Sequence, residues 1–193
     1  MNAALSAPLA CVVLLLAAPR QEASDADWKL GVTVDPLRPV SIERPGATPR
    51  VVWYATITLK NDTGATRTPT VVAKLVTDTE KTCAAGFDPA ALAAVQKAAG
   101  DATPLYDWKD PLENGASKKV FVFFGDVDRY ANFLEVRLAG VASALSRNRN
   151  EWFEQQVEHR TKFHRPGSEN RTTDHPVVFV SSEWVVLSKK KIR

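Results

Sequence analysis

The chain has 193 residues, a formal net charge of +3 and an ordinary apolar content. That is enough for one domain with a real core, and it excludes an intrinsically disordered chain. The excess charge is local: residues 147–193 hold ten Lys and Arg against six Asp and Glu, and the chain ends Lys189-Lys190-Lys191-Ile192-Arg193.

Leu9 to Ala18 reads LACVVLLLAA. Ten apolar residues are too few to span a bilayer comfortably, but they fit the core of an export signal, and small residues follow. Residues 1–23 are therefore read as a signal peptide, 24–188 as a single domain and 189–193 as a basic, solvated tail. The expected location is exported: periplasm, cell envelope or extracellular, with no transmembrane span in the mature chain. Cys11 precedes most of the apolar core, which is the wrong order for a lipidated cysteine. Only Cys83 then remains, so no disulfide forms within the chain and the packed core must carry stability. A small buried or half-buried thiol is the expected state of Cys83.

Trp28 to Val34, WKLGVTV, reads as a first strand with Trp28, Leu30, Val32 and Val34 on one face. Pro36, Pro39, Pro45 and Pro49 then suit loops and edge strands. From Arg50 to Lys60, Trp53, Ala55, Ile57 and Leu59 alternate with Tyr54, Thr56, Thr58 and Lys60, which predicts a strand with one buried face. Asn61-Asp62-Thr63-Gly64 supplies turn chemistry. Thr70 to Thr77 is the next strand and is expected to pair antiparallel with its predecessor.

Residues 88–99 are the one predicted helix. Asp88 is placed to cap it, Pro89 fits its first position and Gly100 its C-terminal stop. Leu92, Val95 and Ala99 form a narrow apolar stripe, so the helix needs a docking surface, and an end or edge of the sheets is expected. Within residues 118–125, Val120, Val122 and Phe124 alternate with Phe121 and Phe123, which implies burial on both faces. Leu134 to Leu138 reads as a half-exposed strand. Residues 152–164 and 177–187 read as the last two strands, joined by a polar loop.

The strand-turn WYATITLKNDTG and the VVAKLVTDT strand after it, spanning residues 50–79, resemble immunoglobulin-like domains of small exported bacterial proteins of unknown function. The strand entry at Gly115–Val120 and Glu183-Trp184 in the closing strand extend the resemblance. It implies a mainly β, antiparallel immunoglobulin-like sandwich with one short accessory helix, and it brings no catalytic residues. Antibody-type domains carry a buried Cys pair around a strand Trp. Trp53 is present here and the Cys pair is not.

Loops on a rigid β framework are where binding residues concentrate. Tyr106, Trp108 and Tyr130 in loops, with Tyr54 on the outward face of its strand, are the candidate contacts. Gly125-Asp126-Val127-Asp128 places two carboxylates where a hard cation could sit, but the continuation lacks the remaining ligands of a calcium loop. His159 and His164, five apart, fall on opposite faces of a strand, and no serine-nucleophile elbow or phosphate loop is present. No cofactor is expected. Basic residues near Trp152 and Phe153 are interleaved with Glu151, Glu154 and Glu158, which argues against nucleic acid. The expected role is a non-catalytic binding or structural module at the cell envelope that engages a protein or polysaccharide. The alternatives are an envelope hydrolase or metal-dependent enzyme using loop carboxylates, and an adhesin-like assembly subunit.

Overall fold

The computed structural model describes residues 27–148, 151–166 and 177–191. The expected signal peptide, Asn170-Arg171-Thr172, which matches the acceptor pattern for N-glycosylation, and His175 lie outside the described residues. The protein is mainly β, with antiparallel curled sheets and one α-helix. Its elements are β1 (Trp28–Lys29), β2 (Gly31–Val34), β3 (Arg38–Arg44), β4 (Ala47–Lys60), β5 (Val72–Thr77), β6 (Thr82–Ala84), α1 (Pro89–Ala99), β7 (Thr103–Pro104), β8 (Ser117–Phe124), β9 (Phe133–Ala139), β10 (Ala142–Asn148), β11 (Glu151–His164) and β12 (Val178–Lys191). Among them no helix is long and apolar enough to cross a membrane.

One sheet has five strands, with β4 at its centre. β8 pairs along one edge of β4, and β2 and β3 share the other. The second sheet has seven strands and is built around β11. β12 runs along one edge of β11; β9 and β10 follow one another along the opposite edge. β5 and β6 extend the sheet beyond β9. Ala55, Ile57 and Leu59 of β4 and Val120, Val122 and Phe124 of β8 meet Ala73, Leu75, Leu134, Val136, Leu138 and Phe163 of the larger sheet in one core.

The first predicted strand is split between the two sheets. β1 pairs with β10 in the larger sheet and β2 with β4 in the smaller. Leu30, at the crossing, is fully buried. The chain makes a second crossing after β6. The Ala85 N–H donates to Ala73 O at 3.3 Å and the Gly86 N–H to Phe123 O at 2.7 Å, one bond to each sheet. Gly86 is required there, because a Cβ would lie 2.7 Å from the Phe123 ring.

The helix forms where expected, for the expected local reasons. Asp88 Oδ1 accepts from the Ala90 and Ala91 N–H groups, and Asp88 Oδ2 pairs with Arg50 at 2.8 Å. Its position differs from the expectation. It lies across the face of β3, β4 and β8, not at an edge, and builds a second core from Ile42, Val52, Tyr54, Val95, Phe121 and Phe123. That corrects the reading of β4 as a strand with one buried face: Tyr54 is buried, and its hydroxyl donates to Ala98 O at 3.4 Å. The two-faced burial expected for residues 118–125 is found, with Phe121 and Phe123 under the helix.

A second correction concerns β5. It does not pair with β4; it crosses to the other sheet and pairs with β9 and β6. The connection is anchored by Asn61, which is fully buried. Its Nδ2 donates to Ala65 O at 2.8 Å and Leu112 O at 2.6 Å, and its Oδ1 accepts from the Thr63 N–H and hydroxyl. A two-way backbone bridge between Arg67 and Leu112 continues the hold. Asn61-Asp62-Thr63 also matches the acceptor pattern for N-glycosylation, and with both amide hydrogens used it is closed to a glycan in the folded protein.

Two further differences lie at the C-terminal end. β10 is a strand that the sequence pattern does not announce. Lys189–Lys191 continue β12 opposite Phe153, Glu154 and Gln155 and are no free tail; Lys191 also pairs with Glu151.

Candidate functional site

The loop aromatics do not converge. Tyr54 is removed from the surface by α1, and Trp108 is buried in the main core beside Leu105 and Leu112. Both were expected as contacts. Each has its apolar ring taken up by the core, because long-range packing outweighs the polarity of the flanking sequence. Tyr130 is half exposed under the Arg129 guanidinium, 4.7 Å from its ring centre. Tyr106 remains exposed and stands at the mouth of a cleft.

That cleft has a volume of about 270 Å3 and opens between β5, the Ala84–Phe87 crossing and β8. Phe121, Val122 and Phe123 contribute to its wall together with Val72, Ala73 and Ala84. Phe87 and Tyr106 form its rim as an edge-to-face pair, 5.1 Å apart at 88°. Phe87 is 72% exposed and Tyr106 40% exposed. Burial and the neighbouring Asp107 carboxylate both raise the Tyr106 hydroxyl above its ordinary pKa, so it is neutral at physiological pH. Sequence reasoning missed Phe87. An apolar residue just before a capping Asp reads as a helix staple to Leu92, whereas its ring stands against Tyr106.

In the Asp126–Asp128 turn, both carboxylate oxygens of Asp128 are taken up by hydrogen bonds. Asp128 Oδ2 accepts from the Thr79 hydroxyl at 2.7 Å and Oδ1 from the Tyr130 N–H at 2.9 Å. The Thr79 bond, followed by the Tyr130 bond, holds the Asp128 carboxyl below its usual range. Asp126 adopts a left-handed backbone, φ 52°, and its carbonyl accepts a weak bond from the buried Cys83 thiol at 3.8 Å. Burial pushes that thiol's pKa up. Arg165, itself buried, clamps the same turn by donating to Asp128 O and Ala131 O. Among the described residues no three His, Cys, Asp or Glu side chains form a group able to hold a metal.

His159 sits between β9 and β12, with Nε2 2.9 Å from the Ser182 hydroxyl and Nδ1 3.4 Å from the Thr161 hydroxyl. The Trp184 ring packs edge-on against it at 4.9 Å. Burial pushes its pKa down to about 4. A neutral imidazole with hydroxyl partners and no carboxylate beside it is a structural polar plug, not an activated base. The unfolded chain binds that proton near pH 6.5 and the folded protein only near pH 4, so this group's stability is complete above about pH 6.5 and lost as pH falls toward 4. The loss is about 3 kcal/mol at most. Urea melts at pH 7 and pH 4.5 should therefore show a midpoint drop that His159→Gln largely removes. Asp128 acts in the same direction, but only below the ordinary carboxylate range, since its folded pKa is the lower one. An equal drop in the variant would rule out His159 as the source.

The second surface of note is β12. Twelve of its fourteen residues pair with β11 along one edge, and its other edge has no partner among the described residues. Val178, Phe179, Val180, Val186 and Leu187 are all exposed there. The ladder to β11 shifts register twice, between Gln156 and Val157 and between Lys162 and Phe163, so Leu187 and Val180 are bulged. Bulges and a lysine-rich end are the usual devices that keep an edge strand from indiscriminate pairing. Between them Ser181–Val186 runs as an unbroken ladder. No family model, no curated protein and no solved structure matches the chain.

Proposed function

We propose that the protein is an exported, non-catalytic binding module of the cell envelope, an immunoglobulin-like β-sandwich that recruits an extended segment of a partner protein by adding it as a strand to β12. The observation that supports this reading is the free edge of β12 with its five exposed apolar side chains. Strand addition draws affinity from main-chain hydrogen bonds and specificity from alternate side chains. An edge that is guarded at both ends and regular in the middle suits a selective partner better than open aggregation. A hydrolytic role finds less support, because the Asp128 oxygens and both His159 nitrogens already have partners.

A photo-crosslinking residue at Val186 in the native envelope tests the proposal. It should yield a discrete adduct whose partner peptide, read by mass spectrometry, is an extended segment. Phe179→Lys combined with Leu187→Lys should abolish that adduct while leaving the melting temperature within about 3 °C, since both side chains are exposed. An adduct that survives both lysines would sink the assignment to β12. The same edge also favours an assembly subunit, in which the added strand comes from a second copy. Gel filtration across a concentration series separates the two, because only self-assembly moves the elution volume with concentration.

A further inference from the structure

We infer that the cleft beneath Phe87 and Tyr106 is a ligand site for a compact, uncharged apolar group, of the size of a one- or two-ring aromatic. This site is separate from β12 and does not depend on the reading given to that strand.

The cleft opens along the edge of β8 that faces away from β4. Along β8, Pro104 pairs with Phe121 on one side of the opening, and the Gly86 N–H reaches Phe123 O on the other. Between them the side chains of both sheets form the wall and no strand fills the gap. Filling it from within is blocked by sequence: the crossing segment is Ala84-Ala85-Gly86, the smallest side chains available, and Gly86 has no room for even a methyl group. Small residues on one side and Phe121 and Phe123 on the other leave a recess that the protein's own side chains do not occupy.

Volume sets the size of the occupant. An apolar cavity of about 150 Å3 takes up a benzene ring. At about 270 Å3 the cleft holds a bicyclic ring or a branched alkyl group, but not a larger scaffold. Its chemistry sets the polarity. Tyr106 is the one ionisable side chain in the lining, and a phenol carries no charge at physiological pH. A charge carried into such a recess loses its hydration with no partner to replace it. A sugar would likewise leave its hydroxyls unpaired, so this site does not suit a polysaccharide. The rim points the same way. Phe87 and Tyr106 present ring faces and edges to solvent in an arrangement that a third ring can join by edge-to-face contact.

Two sources could supply such a group: a free aromatic metabolite, or the Trp or Phe side chain of a peptide. Indole and N-acetyltryptophanamide distinguish them. With the full chain labelled with 15N, indole should cause saturable amide shifts at Ala84, Gly86 and Tyr106, with Kd between about 0.1 and 10 mM. Tighter binding of N-acetyltryptophanamide than of indole identifies a peptide side chain as the source; the reverse order identifies a free molecule. Benzoate and benzylamine, whose charge lies one atom or so from the ring, should both bind at least tenfold more weakly than toluene. Val72→Trp, at a largely exposed position on the cleft wall, should block the site. Phe87→Ser, also at an exposed position, should weaken binding several-fold without affecting the fold. The inference is overturned if indole gives no saturable shift at those amides, if the charged rings bind as well as toluene, or if neither variant changes the titration.

Discussion

Replacing Gly140 with alanine is expected to be the most damaging single-methyl change in the protein. Gly140 joins β9 to β10 with φ +78°, and a Cβ there would overlap the Thr70 carbonyl oxygen and lie 2.8 Å from the carbonyl carbon. The obstacle is backbone, not the end of a flexible side chain, so relief requires β5 to move away from β9 just where Val72 pairs with Ala139. Two penalties add: the left-handed conformation, about 1 kcal/mol, and the displaced ladder. Together they should reach about 4 kcal/mol, in the range reserved for mechanistically severe substitutions. Gly46→Ala is the control, because Gly46 shares the positive φ, at +71°, but a Cβ there meets nothing within 4 Å. Thermal melts should place Gly140→Ala at least about 6 °C below Gly46→Ala. Melting temperatures that agree would mean that Thr70 can give way to a methyl group at no cost.

Asn61→Ala should come next. The side chain makes four hydrogen bonds from a fully buried position, two donated to Ala65 O and Leu112 O and two accepted from Thr63. Its removal takes one of two donors from the Leu112 and Ala65 carbonyls, which keep the Arg67 N–H and the Thr63 hydroxyl, and it releases the turn that carries the chain from one sheet to the other. Each hydrogen bond lost costs about 0.5–1.5 kcal/mol, so for four of them a total of about 3 kcal/mol is expected, or roughly 6–12 °C in melting temperature for a chain of this size. Asn61→Asp keeps the acceptors and loses the donors, and adds a buried charge. It should be no better than alanine. If Asn61→Asp were instead as stable as the parent, the donated bonds would have no role in holding the crossing.

These two residues also mark the boundary between what the sequence discloses and what it conceals. Features set by a few neighbouring residues were legible. Asp88, Pro89 and Gly100 bracket the helix because capping is a local matter, and the alternation in Leu134–Leu138 separates a buried face from a half-exposed one. Features set by remote residues were not. Tyr54 and Thr56 read as an outward face because they are polar enough to meet water, yet a helix some forty residues later in the chain covers Tyr54. β5 follows a turn and therefore reads as a hairpin partner of β4, but the Asn61 turn bonds to Ala65 and Leu112 and sends the chain elsewhere. β10 begins Ala-Ser-Ala, with side chains too small to announce a strand. For the surfaces the division is the same. Tyr106 was recognisable as a loop aromatic. Phe87 and the Gly86 contact that makes the cleft depend on Phe123, and the exposed edge of β12 depends on which strand ends the sheet, a choice that no local pattern records.

The ribbon formed by β10, the first half of β11 (residues 151–156) and the end of β12 divides the protein mechanically. Below it, β4 and β8 lie in a block three layers deep: helix, sheet and sheet. The ribbon itself is one layer thick. From Glu151 to Gln156 and from Ser188 to Lys191 no side chain is buried. Free energy of opening follows buried apolar contact, so the two parts belong to different cooperative units. Backbone amides in β4 should exchange only when the whole molecule unfolds, whereas those of the ribbon exchange through local separation of strands. The end of β12 can thus detach and re-pair while the three-layer block remains closed, and its register can adjust without any rearrangement of the core.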